Sequence, residues 1–374
     1  MPQVTARVRR PPYLEDVIKY LGSKRRLVPH IVSLVSAVPG ARTVLDLFTG
    51  TTRVAQGLKA AGLAVTANDL ASYSAVLAEA YVATDARRVK AARVAELCRA
   101  LEALPPVRGY VTRTFCEEAR YFRPENGMRI DAIRAGIDAL ALRGSERAIL
   151  LTALLQAADR VDSTTGLQMA YLKQWSARSA RPLALRPPAL LPGAGRALRE
   201  DARDCVRRPE GYDVAYLDPP YNQHSYYSNY HIWETLVRGD APPAYGVARK
   251  REDCRATKSA FNVRSAAWDA MREVVTGVKA RHMVLSFSNE GFFTDAAIRD
   301  LLAARFGEVA TVPVDSPRYV GARIGIHNRR GERVGRVSHV RNVEWLFVAG
   351  PDAAAIAREG MARLARGPAL EVAS

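Results

Sequence analysis

No stretch of eighteen consecutive apolar residues occurs in the sequence, so no membrane-spanning helix is expected. Cysteine is scarce. Cys98, Cys116, Cys205 and Cys254 lie far apart without CxxC spacing, and the six histidines form no HxxxH pair. These absences argue against a bound metal and against a disulfide framework, and they fit a reducing cytoplasm. There is no GxGxxG run, which leaves a dinucleotide pyrophosphate poorly provided for. The opening "MPQVTARVRRPPYLEDV" is basic but has no apolar signal core, so it reads as a loose arm rather than an export signal. No internal repeat is visible.

Acidic residues are also few relative to basic ones. The 374 residues carry 55 Lys and Arg against 38 Asp and Glu, a net charge of +17. Only eight of the cations are lysine. A GC-rich genome would explain the choice of Arg over Lys, but not the excess over acids. A surplus of this size points to a polyanionic partner, most often nucleic acid. The length suits one large domain or two smaller ones.

From Thr43 the pattern alternates. "TVLDLF" reads as a buried strand, "TTRVAQGLKAAG" as a helix closed by Gly62, and "AVTAND" as a second strand. This is a βαβ unit, the start of a parallel sheet. Helices follow in "ASYSAVLAEAYVA", "DARRVKAARVAELCRALEAL", "RIDAIRAGIDALAL" and "SERAILLTALLQAADRV". The Pro- and Arg-rich "SARSARPLALRPPALLPGAG" is not a core element. Strands resume in "YDVAYLD" and "HMVLSFS", and "RNVEWLFVAG" reads as the last. The expected fold is α/β, a mostly parallel sheet with a helical insertion, divided as 1–84 with 201–350, an inserted region 85–200, and a carboxyl-terminal helix or tail 351–374.

Two stretches carry chemistry. "LDLFTGTTRVA" puts Asp46 at a strand end, Gly50 in the turn and a helix start directly after. Gly lets the backbone approach a ligand closely, and helix N–H groups favour a polar one. Asp69, ending the next strand, has the spacing of a ribose-binding acid. With a single glycine the turn suits a nucleoside cofactor without phosphates, of which S-adenosylmethionine is the common one. The second stretch is "VAYLDPPYNQHSYYSNYHIWETL". A base amino group is a poor nucleophile because its lone pair is delocalised into the ring. The Asp218 carboxylate and the Pro219 carbonyl, held in its plane, would draw its hydrogens and return density to nitrogen. Pro219 and Pro220 fix the backbone that aims that carbonyl, and Tyr221 offers a face for an extruded base.

With these residues in hand, the chain resembles the Dam-like class of adenine-N6 DNA methyltransferases, most closely the FokI-type branch. "YLGSKRRL", "LDLFTGT", "NDL", "TTGLQMAYLKQW", "DPPYNQHSYYSNYHIWET", "KSAFN" and "LSFSNEGF" follow in the order expected of that branch. The resemblance implies the Rossmann-like methyltransferase fold, with S-adenosylmethionine held by Tyr20, Lys24, Asp46, Phe48, Gly50, Asp69, Asp201 and Asp218. It implies a catalytic tetrad Asp218, Pro219, Pro220 and Tyr221, and no metal. One position departs from the family: its loop usually has a second glycine where this chain has Thr52, which is expected to serve as an N-cap.

The resemblance also implies duplex DNA as partner and a target-recognition role for the insertion. Candidate DNA contacts are Asn222, Tyr226, Tyr227, Asn229 and Lys258, together with Arg318, Arg329, Arg330 and Arg333. The last three belong to "HNRRGER", which reads as a hairpin turn between two short strands. A monomer in the cytoplasm, held at the nucleoid through DNA, is expected, and a cognate restriction endonuclease is allowed for as a partner. The same tetrad chemistry would serve RNA or the N4 amino group of cytosine. A fold that had lost activity would only hold nucleic acid; intact Lys24, Asp69, Asp218 and Tyr221 weigh against that.

Overall fold

The computed structural model describes residues 18–20, 24–193, 195–317, 326–327, 333–335 and 341–366. Its centre is a sheet built from β1 (Thr43–Asp46), β2 (Ala64–Asn68), β3 (Gly195–Leu198), β4 (Tyr212–Leu217), β5 (Ala280–Ser288), β6 (Val309–Pro317) and β7 (Arg341–Ala349). In space the order is β3-β2-β1-β4-β5-β7-β6. The first five run parallel, and β7 is antiparallel to both of its neighbours.

Side chains alternate across this sheet because successive Cβ atoms point to opposite faces. Val44, Val214, Tyr216, Val284 and Leu346 enter one core. Leu45, Ala215, Leu217, Met283, Leu285 and Phe347 enter the other. The first core is covered by α1 (Val28–Ser36), α2 (Arg53–Ala60), α3 (Ser72–Ala78), α6 (Gly144–Val161), α7 (His231–Arg238) and α10 (Ala353–Arg366), the second by α8 (Arg264–Gly277) and α9 (Asp295–Phe306). The inserted helices α4 (Ala91–Glu102) and α5 (Pro124–Ala139) send Leu97, Leu101, Ile130 and Ile133 into the first core as well. Most of α6 is buried, as expected of a helix apolar nearly all round. Among the described residues no helix is long and apolar enough to cross a membrane.

Two strands were not legible in the sequence. β3 emerges directly from the Pro-rich stretch; its four residues lie at the sheet edge, half exposed, and lack an apolar alternation. β6 carries Pro313 and Pro317, which usually argue against a strand. At the other edge it pairs only with β7, so prolines are tolerated there. The expected hairpin is present in its strands: Ile326–His327 pairs antiparallel with Arg333–Gly335.

The chain leaves β1 for β2 and β3 on one side, then returns to lay β4 and β5 on the other. Between the carboxyl ends of β1 and β4 the connections part in opposite directions. In open α/β sheets such a switch point is where ligands bind.

Candidate active site

A solvent-open cleft of about 1180 Å³ occupies that switch point. Its charged lining is mostly acidic, with Asp46, Asp69, Glu200, Asp201 and Asp218 against Lys24 and Arg53. The cleft is thus acidic in a chain that is basic overall.

Asp46 ends β1 and is fully buried. Its Oδ2 accepts from the Thr49 hydroxyl at 2.9 Å, while Oδ1 has no hydrogen-bond partner among the described residues. Burial pushes this carboxyl up to about 8 against the Thr49 bond. After it the chain turns through Gly50, at φ 51°, and Thr52, at φ 64°. Thr52 holds the expected N-cap position but makes no capping side-chain hydrogen bond. In this left-handed backbone its hydroxyl donates to the Thr51 carbonyl at 2.6 Å and accepts from Gln56 at 2.9 Å, leaving the helix N–H groups uncapped by it. The position has the conformation a second glycine would adopt freely, and threonine holds it at a cost of about 1–2 kcal/mol.

A Cβ on Gly50 would stand 3.4 Å from the Tyr20 ring. Gly50→Ala is expected to cost about 1–2 kcal/mol through its left-handed backbone alone. Thermal unfolding with and without cofactor checks this, and the bulkier Gly50→Val should lose cofactor stabilisation as well.

The β2 end closes the turn from the other side. The Gly50 N–H donates to Asp69 Oδ2 at 2.9 Å, and Ala71 N–H donates to Oδ1 at 3.0 Å. Asn68, buried beside it, was not singled out from the sequence. Its amide donates to the carbonyls of Leu47 and Glu200, each at 3.2 Å, and its carbonyl accepts from Glu200 N–H at 3.1 Å. One side chain thus binds the β1 turn to the segment after β3. An amide directly before a strand-end acid was the available signal. Asp201 reaches the cleft but is engaged as the cap of Ala202–Cys205, with Arg203 at 3.0 Å; burial opposes, yet the Arg203 bonds hold its carboxyl low. Phe48 packs edge-on against Phe261 in the cleft wall.

Asp218 follows β4 directly, with Pro219 buried and Pro220 and Tyr221 on the cleft. Its Oδ1 lies 3.0 Å from the Lys24 ammonium, which also stands 3.3 Å from Glu344 of β7 and 5.9 Å from the centre of the Tyr221 ring. Burial pushes Asp218 up to about 6, Lys24 pulls it down, and Glu344 pushes it up again. Lys24 is held well above its ordinary value, since Asp218 and Glu344 outweigh the burial that would lower it. Tyr20 completes the wall, stacked on Tyr230 at 4.5 Å and Tyr226 at 5.3 Å between ring centres.

The structure therefore gathers every expected cofactor and tetrad residue around one cleft. The expected DNA contacts divide. Tyr226 and Tyr227 line the cleft, with the Tyr227 hydroxyl donating to Asp253 at 3.1 Å. Asn222 lies in the loop after the tetrad, its carbonyl accepting from Asn262 at 2.8 Å, and Lys258 is exposed between the cleft residues Thr257 and Ser259. Asn229 is buried, at 5% exposure, and does not line the cleft. Arg318, Arg329 and Arg330 lie outside the described residues, as does the side chain of Arg333.

A model of the D12 class of N6 adenine-specific DNA methyltransferases matches residues 20–286, a span that holds the β1 turn, Asp69 and the tetrad. The chain belongs to that family. As a D12-class enzyme it is an adenine-specific DNA methyltransferase, which closes the cytosine reading left open by the tetrad. It is 29% identical over 337 residues to the type II methyltransferase M.NlaIII of Neisseria lactamica, covering 86% of this chain and 98% of that protein. It is 30% identical over 302 residues to the modification methylase StsI of Streptococcus sanguinis, and 28% over 305 residues to the type II methyltransferase M.FokI of Planomicrobium okeanokoites. It spans 46% of the length of each of those two.

Proposed function

We propose that this D12-class enzyme moves a methyl group from S-adenosylmethionine to the N6 amino group of an adenine extruded from duplex DNA at a specific sequence. The observation that carries the reading is the junction of the Asp218–Tyr221 tetrad with the acidic Asp46–Asp69 turn in one cleft.

The residues present fit the cofactor. Asp46 Oδ1 and the Tyr216 hydroxyl are buried at the cleft without partners among the described residues, an acceptor and a donor that suit an amino acid's ammonium and carboxylate. Asp69 would take the ribose hydroxyls, and Tyr20, Lys24, Phe48, Gly50 and Asp201 would line the remainder. Bound there, S-adenosylmethionine supplies an electrophilic methyl group. The protein's own contribution is positioning and polarisation. Asp218 and the Pro219 carbonyl accept the amino hydrogens and restore density to N6, while the Tyr221 face holds the adenine plane. Asp218, basic enough at about 6, then takes the proton that N6 loses.

The inserted residues 85–200 and the basic "HNRRGER" hairpin would read and grip the duplex, Asn222, Tyr226, Tyr227 and Lys258 would meet it at the cleft mouth, and Arg318, Arg329, Arg330 and Arg333 would contact phosphates. The type II and modification names of the relatives support a role in restriction-modification; a cognate endonuclease would be its partner, and the chain would act as a monomer.

Incubation with methyl-labelled cofactor and mixed-sequence duplex DNA, followed by nucleoside analysis, tests the reading. Label in N6-methyladenine supports it, and label in cytosine or in RNA alone overturns it. The carboxylate form of Asp218 accepts amino hydrogens far more strongly than the neutral acid, so activity should fall as pH drops through about 6. An acid limb near the ordinary carboxylate range, about 4, would contradict the burial argument.

A further inference from the structure

We propose that Glu344 is a positioning residue for Asp218, acting through Lys24. The inference rests on the adenine-methyltransferase reading and assigns a role to a residue beyond the matched span 20–286.

On sequence alone Glu344 is an anomaly. It sits in "RNVEWLFVAG", on the face of β7 that sends Leu346 and Val348 into the first core. It is 9% exposed. Burying a carboxylate costs several kcal/mol unless a partner is close, so an apolar residue would serve the strand better. What the acid meets is the Lys24 ammonium at 3.3 Å.

Lys24 has two carboxylate partners and one charge. Were Asp218 its sole partner at 3.0 Å, the cation would neutralise the group that has to accept hydrogens from the adenine. Glu344 shares the ammonium with Asp218, so the cluster of three keeps a net negative charge and Asp218 keeps its basicity. Asp46, Tyr216, Tyr221 and Tyr226 also bear on this cluster. Of these, the Tyr216 hydroxyl has no partner among the described residues, which leaves Glu344 as the group there that balances Lys24.

Glu344→Gln tests this, because it keeps the shape and removes the charge. The expected result is near-wild-type KM for cofactor and DNA, with kcat lower by roughly ten- to hundred-fold, the range for directly coupled residues. The acid limb should also move to lower pH, since a like charge beside Asp218 is gone. Glu344→Asp, which restores the charge, should return the limb and recover part of kcat. Thermal melts accompany both variants. Wild-type kcat in Glu344→Gln, or a lower kcat with an unmoved limb, overturns the proposal. If Glu344→Gln does not fold, an acid limb displaced in Glu344→Asp, where the charge is kept, overturns it equally. Wild-type enzyme assayed alongside separates the two failures: label in adenine that is indifferent to Glu344 sinks this inference alone, and no label at all sinks the reading beneath it.

Discussion

Asp218→Ala is expected to abolish detectable methyl transfer to adenine, a loss of about a thousand-fold or more, comparable to removing a preorganised group aimed at developing charge. The fold should survive the change. Lys24 would keep Glu344 at 3.3 Å, a one-to-one pair in place of one cation between two acids. Cofactor binding should also persist, since Asp46, Asp69 and the Gly50 turn are untouched. The measurement is labelled transfer to DNA beside cofactor affinity on the same preparation. Retained affinity with no transfer places Asp218 in the chemistry; parallel loss of both would reduce it to a structural role. Asp218→Asn keeps a carbonyl acceptor without the charge and should fall between the two.

Lys24→Met should act chiefly on stability. It removes the cation from between two poorly exposed carboxylates, leaving Asp218 and Glu344 uncompensated at about 3–5 kcal/mol, with the lower end more apt because Asp218 is partly open to the cleft. The sign with pH follows from the charge. The Asp218 carboxyl, already raised by burial, would lose the cation that pulls it down, so the variant is closest to wild type below the ordinary carboxylate range. It loses stability as pH rises and the acids are forced to ionise. Denaturant unfolding at about pH 5 and about pH 8 should show the gap widening at the higher value. Lys24→Met combined with Glu344→Gln should recover part of the loss. A single variant as stable as wild type at both values would mean that water, not Lys24, solvates these acids.

Much of this site was legible because its parts are strand ends. Asp46, Asp69 and Asp218 each close an apolar run, and a chain that buries strands in a parallel sheet brings such ends to one edge. The tetrad was readable for the same reason, two prolines after an apolar strand having no structural need. The rest depends on partners distant in sequence. Glu344 stands 320 residues from Lys24, and no local spacing announces the contact. Asn68 works through three backbone atoms on two other segments, invisible to any pattern of side chains. Thr52 was misread because composition suggests a cap, whereas the left-handed backbone turns its hydroxyl elsewhere. β3 and β6 are edge strands, held by one neighbour each, and edges tolerate the short or proline-bearing sequences that propensity rejects.

The Lys24–Asp218–Glu344 cluster also bears on how the enzyme comes into being. Its three members are made in the order Lys24, Asp218, Glu344, and β7, which brings the last, inserts between β5 and β6. Domains emerge from the ribosome at about 5–20 residues per second, and contacts between distant segments wait for both ends. A nascent chain that has already formed the cofactor turn would therefore hold Lys24 and Asp218 together without their counterweight until β7 is made. Competence to methylate would appear in a single late step, when the closing strand slides into its slot.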